Sequence, residues 1–324
     1  LAYGPFWYRG PDFEDEIRIY EGEPFDPAGY SDYFFSWARD LNGDGRTDLF
    51  VVAFPGQEAF WLENPGSVDA LWPRHLVHDI VDNESPWFTD LNGDGLEDLV
   101  CQTGGKLCWL ERVPGDPTAR WTRHDLSEDL GLQRFTHGLG VGDVNGDGRA
   151  DVLLNQGWWE QPANLAGDPL WTPHPVRFSR SYGGAQMLVH DFDGDGDADV
   201  FSSHMAHSYG VSWWEQVPGP ESGADGEISF VEHPVMGSKP GEQGCPLAVS
   251  ELHALDLVDI DGDGLQDIVS GKRYHSHGTR EAGSTDPAEI FWLRQVRDED
   301  GPRFVAHRVH GHSGVGTQVM TGDI

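Results

Sequence analysis

A nine-residue pattern, D-x-[DN]-G-D-G-x-x-D, occurs five times in this 324-residue chain, at residues 40–48, 90–98, 143–151, 191–199 and 259–267. Asp323 begins what reads as a sixth copy. A motif that returns every 48 to 68 residues commits the chain to a repeat architecture, in which each repeat is one supersecondary unit. The spacing inside the motif selects hard-cation chemistry. Oxygen side chains stand at positions 1, 3, 5 and 9, and position 7 can offer a backbone carbonyl. Glycine at position 6 lets the chain turn sharply enough to aim them at one point. The expected calcium ligands are Asp40, Asn42, Asp44 and Asp48; Asp90, Asn92, Asp94 and Asp98; Asp143, Asn145, Asp147 and Asp151; Asp191, Asp193, Asp195 and Asp199; and Asp259, Asp261, Asp263 and Asp267. An EF-hand would need glutamate at position 12. That position holds Val51, Cys101, Leu154, Ser202 and Ser270, so the EF-hand is excluded.

The residues after each motif are β-rich, as in Asp48-Leu49-Phe50-Val51-Val52 and Asp267-Ile268-Val269-Ser270, so each loop is expected to join two strands. An aromatic third strand follows, marked by Trp61, Trp109, Trp158, Trp213 and Trp292. A fourth carries an aromatic residue three before a histidine: His75, His124, His174, His233 and His307. Four strands per repeat with one aromatic motif each predict an all-β chain, a β-propeller of four-stranded blades with calcium loops between the first two strands. The five histidines recur with the repeat and are expected to be structural. The chain reads as one propeller domain over 1–324, with five full blades and parts of a sixth shared between the two ends. Phe6-Trp7-Tyr8-Arg9 resembles a third strand, Glu16 to Tyr20 a fourth, and Val315 to Ile324 a first strand. A native ring of six or seven blades follows, with a chain truncated at its C-terminus and an oligomeric state the sequence leaves open.

Charge narrows the partners. Against 21 Lys and Arg stand 55 Asp and Glu, a net charge of −34. A nucleic-acid backbone or an anionic membrane would be repelled, and no apolar run is long enough to span a bilayer as a helix. Five bound Ca²⁺ would account for only part of this acidity. Cys101 and Cys108 flank a two-residue turn and are expected to face each other as free thiols.

The chemistry is expected on the face opposite the calcium loops. The first residues of each innermost strand ring the channel there. Six positions before the first motif aspartate stand Phe34, Glu84, His137, Ala185, His253 and Thr317. Two histidines thus share one inner-rim register. The fourth blade adds Ser203-His204-Met205-Ala206-His207 at the end of its second strand, and the fifth adds Gly271-Lys272-Arg273 with His275 and His277. Imidazoles converging near an axis suit a transition metal such as Zn²⁺, and three histidines with an open fourth position form a catalytic pattern. His137, His207 and His253 are the expected ligands; hydrogen-bonding channel lining without metal is the alternative. Lys272 and Arg273 are candidates to hold an anionic or carbonyl oxygen, and Glu251 to act as a base. His190 reads as structural. Nucleophile elbows, phosphate-cradling loops and cofactor fingerprints are missing from the sequence.

The motifs resemble the FG-GAP/VCBS-type calcium-binding propeller repeat over nearly the whole chain. A narrower resemblance rests on THGLGVGD at 136–143, GGAQM at 183–187, AHSYG at 206–210, LHAL at 252–255, GKR at 271–273 and HG at 277–278. These segments are similar to the propeller domain of the aldos-2-ulose dehydratase family and its planctomycete-type relatives. The resemblance implies a zinc-dependent dehydratase, a carbon–oxygen lyase acting on keto-sugars such as 1,5-anhydrofructose. It implies His137, His207 and His253 as metal ligands, with His277, Lys272, Arg273 and Gln186 around them; Tyr182, Glu251 and His277 are the base candidates. It also implies a periplasmic or extracellular location. A non-enzymatic calcium-stabilised propeller for carbohydrate binding or adhesion is the alternative.

Overall fold

The computed structural model describes residues 1–22, 30–31, 33–219, 228–274, 279–299 and 301–322. The fold is all-β and propeller-like; a single 3₁₀ turn, Glu242–Gly244, is the helical element among the described residues. Three four-stranded antiparallel sheets follow chain order. They are Leu139–Gly142 to Thr172–Pro175, Leu188–His190 to Ile228–Met236, and Leu255–Val258 to Gly301–His310. The first two blades are joined differently from the others. The 16-residue strand Arg74–Thr89 closes the first blade against Gln57–Leu62 and opens the second against Asp98–Thr103, so seven strands form one continuous sheet.

The strand after each motif is buried along its whole length: Asp48–Ala53, Asp98–Thr103, Asp151–Leu154, Asp199–Ser203 and Asp267–Lys272. Blades cover both of its faces, which is why these strands carry near-continuous apolar runs rather than alternation. Between the first and second blades, Phe88 stacks on Phe50 at 4.5 Å and on Trp37 at 5.4 Å. The innermost strands lie side by side. Trp87 Nε1 donates to Leu139 O at 2.7 Å, and Gly140 bridges Met187 in parallel. A Cβ on Gly140 would come within 2.7 Å of Met187 O, so the approach of these two blades requires glycine there.

The histidines of the outer strands are structural. Each lies flat on the tryptophan of the third strand, with ring centroids 4.4 Å apart for Trp61–His75, 4.5 Å for Trp109–His124, 4.0 Å for Trp158–His174, 4.4 Å for Trp213–His233 and 4.7 Å for Trp292–His307. In four blades a glutamate two residues after that tryptophan holds the Nε2 of the ring: Glu63, Glu111, Glu160 and Glu215, at 2.6–3.0 Å. The fifth blade has Arg294 in that place, and it turns instead to Asp261 and Asp263 of the motif loop.

The two ends behave unequally. Ala2–Tyr3, Phe6–Arg9 and Asp15–Arg18 form a three-stranded sheet whose Ile17, with neighbouring Ile19, packs on Leu49, Val51 and Phe60 of the first blade. The C-terminal residues through 322 form no strand, against expectation. Side-chain bonds hold them: Gln318 brackets the backbone of Ser36 at 2.9 and 3.1 Å, and Thr321 reaches Asp256. The segment therefore lies between the innermost strands of the first and fifth blades. Cys101 and Cys108 are directly paired across their strands, buried and unbonded, with sulfurs 3.6 Å apart. None of the described helical segments is long and apolar enough to cross a membrane.

Candidate metal centre and cavity

His137 and His253 stand two residues before the innermost strands of the third and fifth blades, as their shared register requires. His207 comes from the turn after the second strand of the fourth blade. The fold brings one nitrogen of each within 4.8 Å of the other two. The Nε2 atoms of His137 and His207 are 3.1 Å apart, and the His253 ring meets both edge-on at 5.5 and 5.7 Å.

Surrounding acceptors fix how the rings present themselves. The Nδ1 of His253 donates to the main-chain oxygen of Glu251 at 2.8 Å. The Nδ1 of His207 donates to the Glu281 carboxylate at 3.0 Å. Glu84 Oε2 stands 3.7 Å from the Nδ1 of His137. A main-chain carbonyl and an ionised carboxylate only accept, so in His253 and His207 Nδ1 carries the hydrogen and Nε2 of the neutral ring offers its lone pair inward. Burial holds the His253 pKa well below that of an ordinary histidine, and the neighbouring His137 and Arg273 charges act in the same direction. Neutral imidazoles with outward N–H groups anchored on acceptors are the form in which histidine ligates a metal. The donor set therefore fits a borderline metal such as Zn²⁺.

The site opens on a cavity of about 740 Å³ whose wall includes Glu84, His137 and His207. Tyr30, Phe54 and Phe135 form an aromatic side, with Phe54 5.2 Å from Tyr30 and 5.7 Å from Phe135. Burial pushes the Glu84 carboxyl up to about 7 despite the opposing Arg273 charge. Sequence reasoning placed Glu84 in the same inner-rim register as His137 and His253 but did not select it. Glu281 had no signal at all, because its loop is non-repetitive.

Other expected site residues lie elsewhere. Lys272 is only 2% exposed, and its Nζ is spent on Gly283 O at 2.6 Å, Asp286 O at 3.1 Å and Glu251 Oε2 at 3.4 Å. Glu251 is equally buried, at a positive φ of 59°. This pair is packed into the fold rather than among the cavity residues; it ties the loop bearing Glu281 to the segment bearing His253. Gln186 accepts from the Leu255 N–H and so joins two innermost strands. Arg273 lies over the Tyr30 ring, 5.3 Å from its centroid. Tyr182 is 77% exposed at the cavity mouth. His204 is engaged apart from the cluster, by Arg180 N–H and Ser212. His275 and His277 lie outside the described residues.

The motif loops are shaped by their own aspartates. In the first, Asp40 accepts the N–H groups of Gly43, Asp44 and Gly45 at 2.9–3.1 Å, and Asp90 and Asp259 do the same in theirs. The ninth-position aspartates are buried. Asp48, Asp151, Asp199 and Asp267 each accept one N–H from motif position 2 and one from the residue three after the third-strand tryptophan. They thereby pin the loop to the blade. Carboxylate oxygens of Asp191, Asp193 and Asp199, and of Asp259, Asp261 and Asp263, lie within 4.8 Å of one another, a donor set suited to a hard cation.

Comparison with known proteins bears on the fold. Residues 40–101 and 90–154 match the FG-GAP-like repeat, so this stretch carries FG-GAP-like repeats. A T-cell immunomodulatory protein homolog of Plasmodium falciparum (isolate 3D7) is 23% identical over 205 residues, a match taking in 50% of this chain and 28% of that protein. The chain thus spans under a third of that relative's length. A lectin of Agrocybe aegerita, solved for its specific recognition of non-reducing terminal N-acetylglucosamine, shares the fold with a TM-score of 0.53. That match covers 93% of this chain and 72% of the lectin at 17% identity.

Proposed function

We propose that this protein is a metal-dependent carbon–oxygen lyase that dehydrates a keto-sugar in the cavity above His137, His207 and His253. The observation that carries this reading is the convergence of three imidazoles, two of which, His207 and His253, turn Nδ1 outward onto oxygen acceptors. A bound Zn²⁺ would polarise the ketone and acidify the adjacent C–H. Glu84 is the carboxylate on the cavity wall, and we assign it the removal of that proton; the β-hydroxyl then leaves with a proton as water. This replaces Glu251, whose carboxylate is committed to Lys272, and Tyr182, which stands in solvent at the mouth. Arg273, close enough to act on both Glu84 and His253, opposes the negative charge that develops on the substrate oxygen.

The sugar assignment draws on the sequence likeness to the aldos-2-ulose dehydratase family, a likeness that the relatives reported above do not carry. We further read the motif loops as five calcium sites that rigidify the blades, and the location as periplasmic or extracellular. The test is metal content per chain by plasma mass spectrometry on untagged protein dialysed against calcium, followed by a keto-sugar screen for enone absorbance. About one zinc per chain, lost in His253→Ala together with turnover, is the expected result. Calcium without a transition metal would overturn the lyase reading and leave a calcium-stabilised glycan-binding propeller.

A further inference from the structure

A second cavity, of about 670 Å³, adjoins the first and shares Asn155, Gln156 and Tyr182 with it. Tyr182 is the partition. Its backbone is anchored on both sides, where Ser181 N–H donates to Ser179 Oγ at 3.0 Å and Gly183 N–H donates to His204 O at 3.0 Å, while its ring stands in solvent. An exposed aromatic ring on a fixed backbone is a stacking platform that loses little freedom on binding. Either cavity alone has the size that encloses a drug-sized ligand, so the two together exceed what one sugar ring fills.

The chemistry of the two cavities differs. The first is walled by Tyr30, Phe54 and Phe135, apolar faces suited to the C–H side of a pyranose. The second is lined by Arg177 and Arg180, and no carboxylate lines it among the described residues. Arg180 is held by Glu232 at 2.9 Å, whereas the Nε of Arg177 donates to Ser179 O at 3.2 Å, which leaves the far edge of its guanidinium for a ligand. On a chain of net charge −34, such a basic lining is exceptional. Distant acidic charge is screened beyond roughly 8 Å at physiological salt, so Arg177, bonded to a neutral main-chain oxygen, sets the preference. The amide side chains of Asn155 and Gln156 offer donors and acceptors to hydroxyl groups between the two.

We infer that the site takes the end of a linear glycan rather than a free monosaccharide, with one residue above the histidines, the next over Tyr182 and a carboxylate on Arg177. This rests on the lyase reading for what happens at the histidines, but not for the cleft itself. Arg–carboxylate pairing supplies the recognition of a uronate-type sugar.

The test is calorimetric titration at 0.15 M salt with galacturonic acid, digalacturonate and trigalacturonate, and with neutral cellotriose. Trigalacturonate is expected to bind at least tenfold tighter than either galacturonic acid or cellotriose. Tyr182→Ala should remove the gain with chain length, and Arg177→Gln the preference for the acidic trimer. Both side chains are on the surface, so melting temperature and zinc content should be those of the parent. Equal binding of monomer and trimer, or unchanged trimer binding in both variants, would overturn the inference. A chain-length gain in protein that binds no zinc would sink the lyase reading and uphold the cleft; zinc and turnover without any gain would sink the cleft alone.

Discussion

His137 Nε2 lies 3.1 Å from His207 Nε2, while the opposite nitrogen of each ring points to a carboxylate, Glu84 and Glu281 respectively. Two lone pairs at that distance repel unless a proton or a cation stands between them. A metal shared with His253 resolves the contact and uses all three rings. His137→Ala and His253→Ala are each expected to lose the transition metal while keeping the far-ultraviolet circular dichroism of the parent. Retention of one metal per chain in both variants would falsify the three-histidine centre.

Lys272 and Glu251 act at one remove. Lys272 fixes the loop that carries Glu281, and the main chain of Glu251 orients His253. Lys272→Met leaves a buried carboxylate without its cation, a change that costs about 3–5 kcal/mol. Loss of orienting partners typically weakens metal binding by about 10–100-fold. Competition with a chromophoric chelator, read beside the melting temperature, separates the two effects. Metal affinity equal to the parent would show the pair to be structural only.

The histidine–tryptophan stacks are expected to matter for stability and not for the site. Trp158 is buried against His174 at a ring separation of 4.0 Å. Trp158→Ala should cost about 3–5 kcal/mol, read as a lower denaturant midpoint. Metal content per folded chain should stay the same.

Motif aspartates set an unusual pH response in calcium-free protein. Burial pushes Asp98 up to about 8 and Asp151 and Asp199 up to about 7, in each case against backbone N–H bonds that favour the charged form. A carboxyl whose pKa is raised in the folded state holds its proton more tightly there. Its contribution is fully present below the unfolded carboxylate range, near 4, and is lost as pH rises through 7 to 8. In chelator, stability should therefore fall between pH 4 and 8. Saturating calcium should reverse the slope, because the cation favours the ionised carboxylates. Melting curves across that range, with and without calcium, check the sign; parallel curves would rule out calcium at these loops.

The sequence by itself determined the repeat. Nine-residue motifs at regular intervals, apolar second strands and a tryptophan–histidine pair per blade are local patterns, and each is legible because the same physics acts on every copy. The shared register of His137 and His253 was legible for the same reason, and it also contained Glu84. Four things belonged to tertiary structure alone. Glu281 reaches His207 from a loop with no counterpart in other blades, so periodicity could not point to it. Lys272 and Glu251 look like exposed chemistry in two separate stretches of the chain, yet packing turns them into a buried ion pair, because a charge removed from water must find its partner inside. The strand Arg74–Thr89 runs unbroken from one blade into the next, and the C-terminal residues hold the first blade through side chains. Local sequence specifies what each blade is; contacts between residues far apart in the chain decide which side chains meet at the axis.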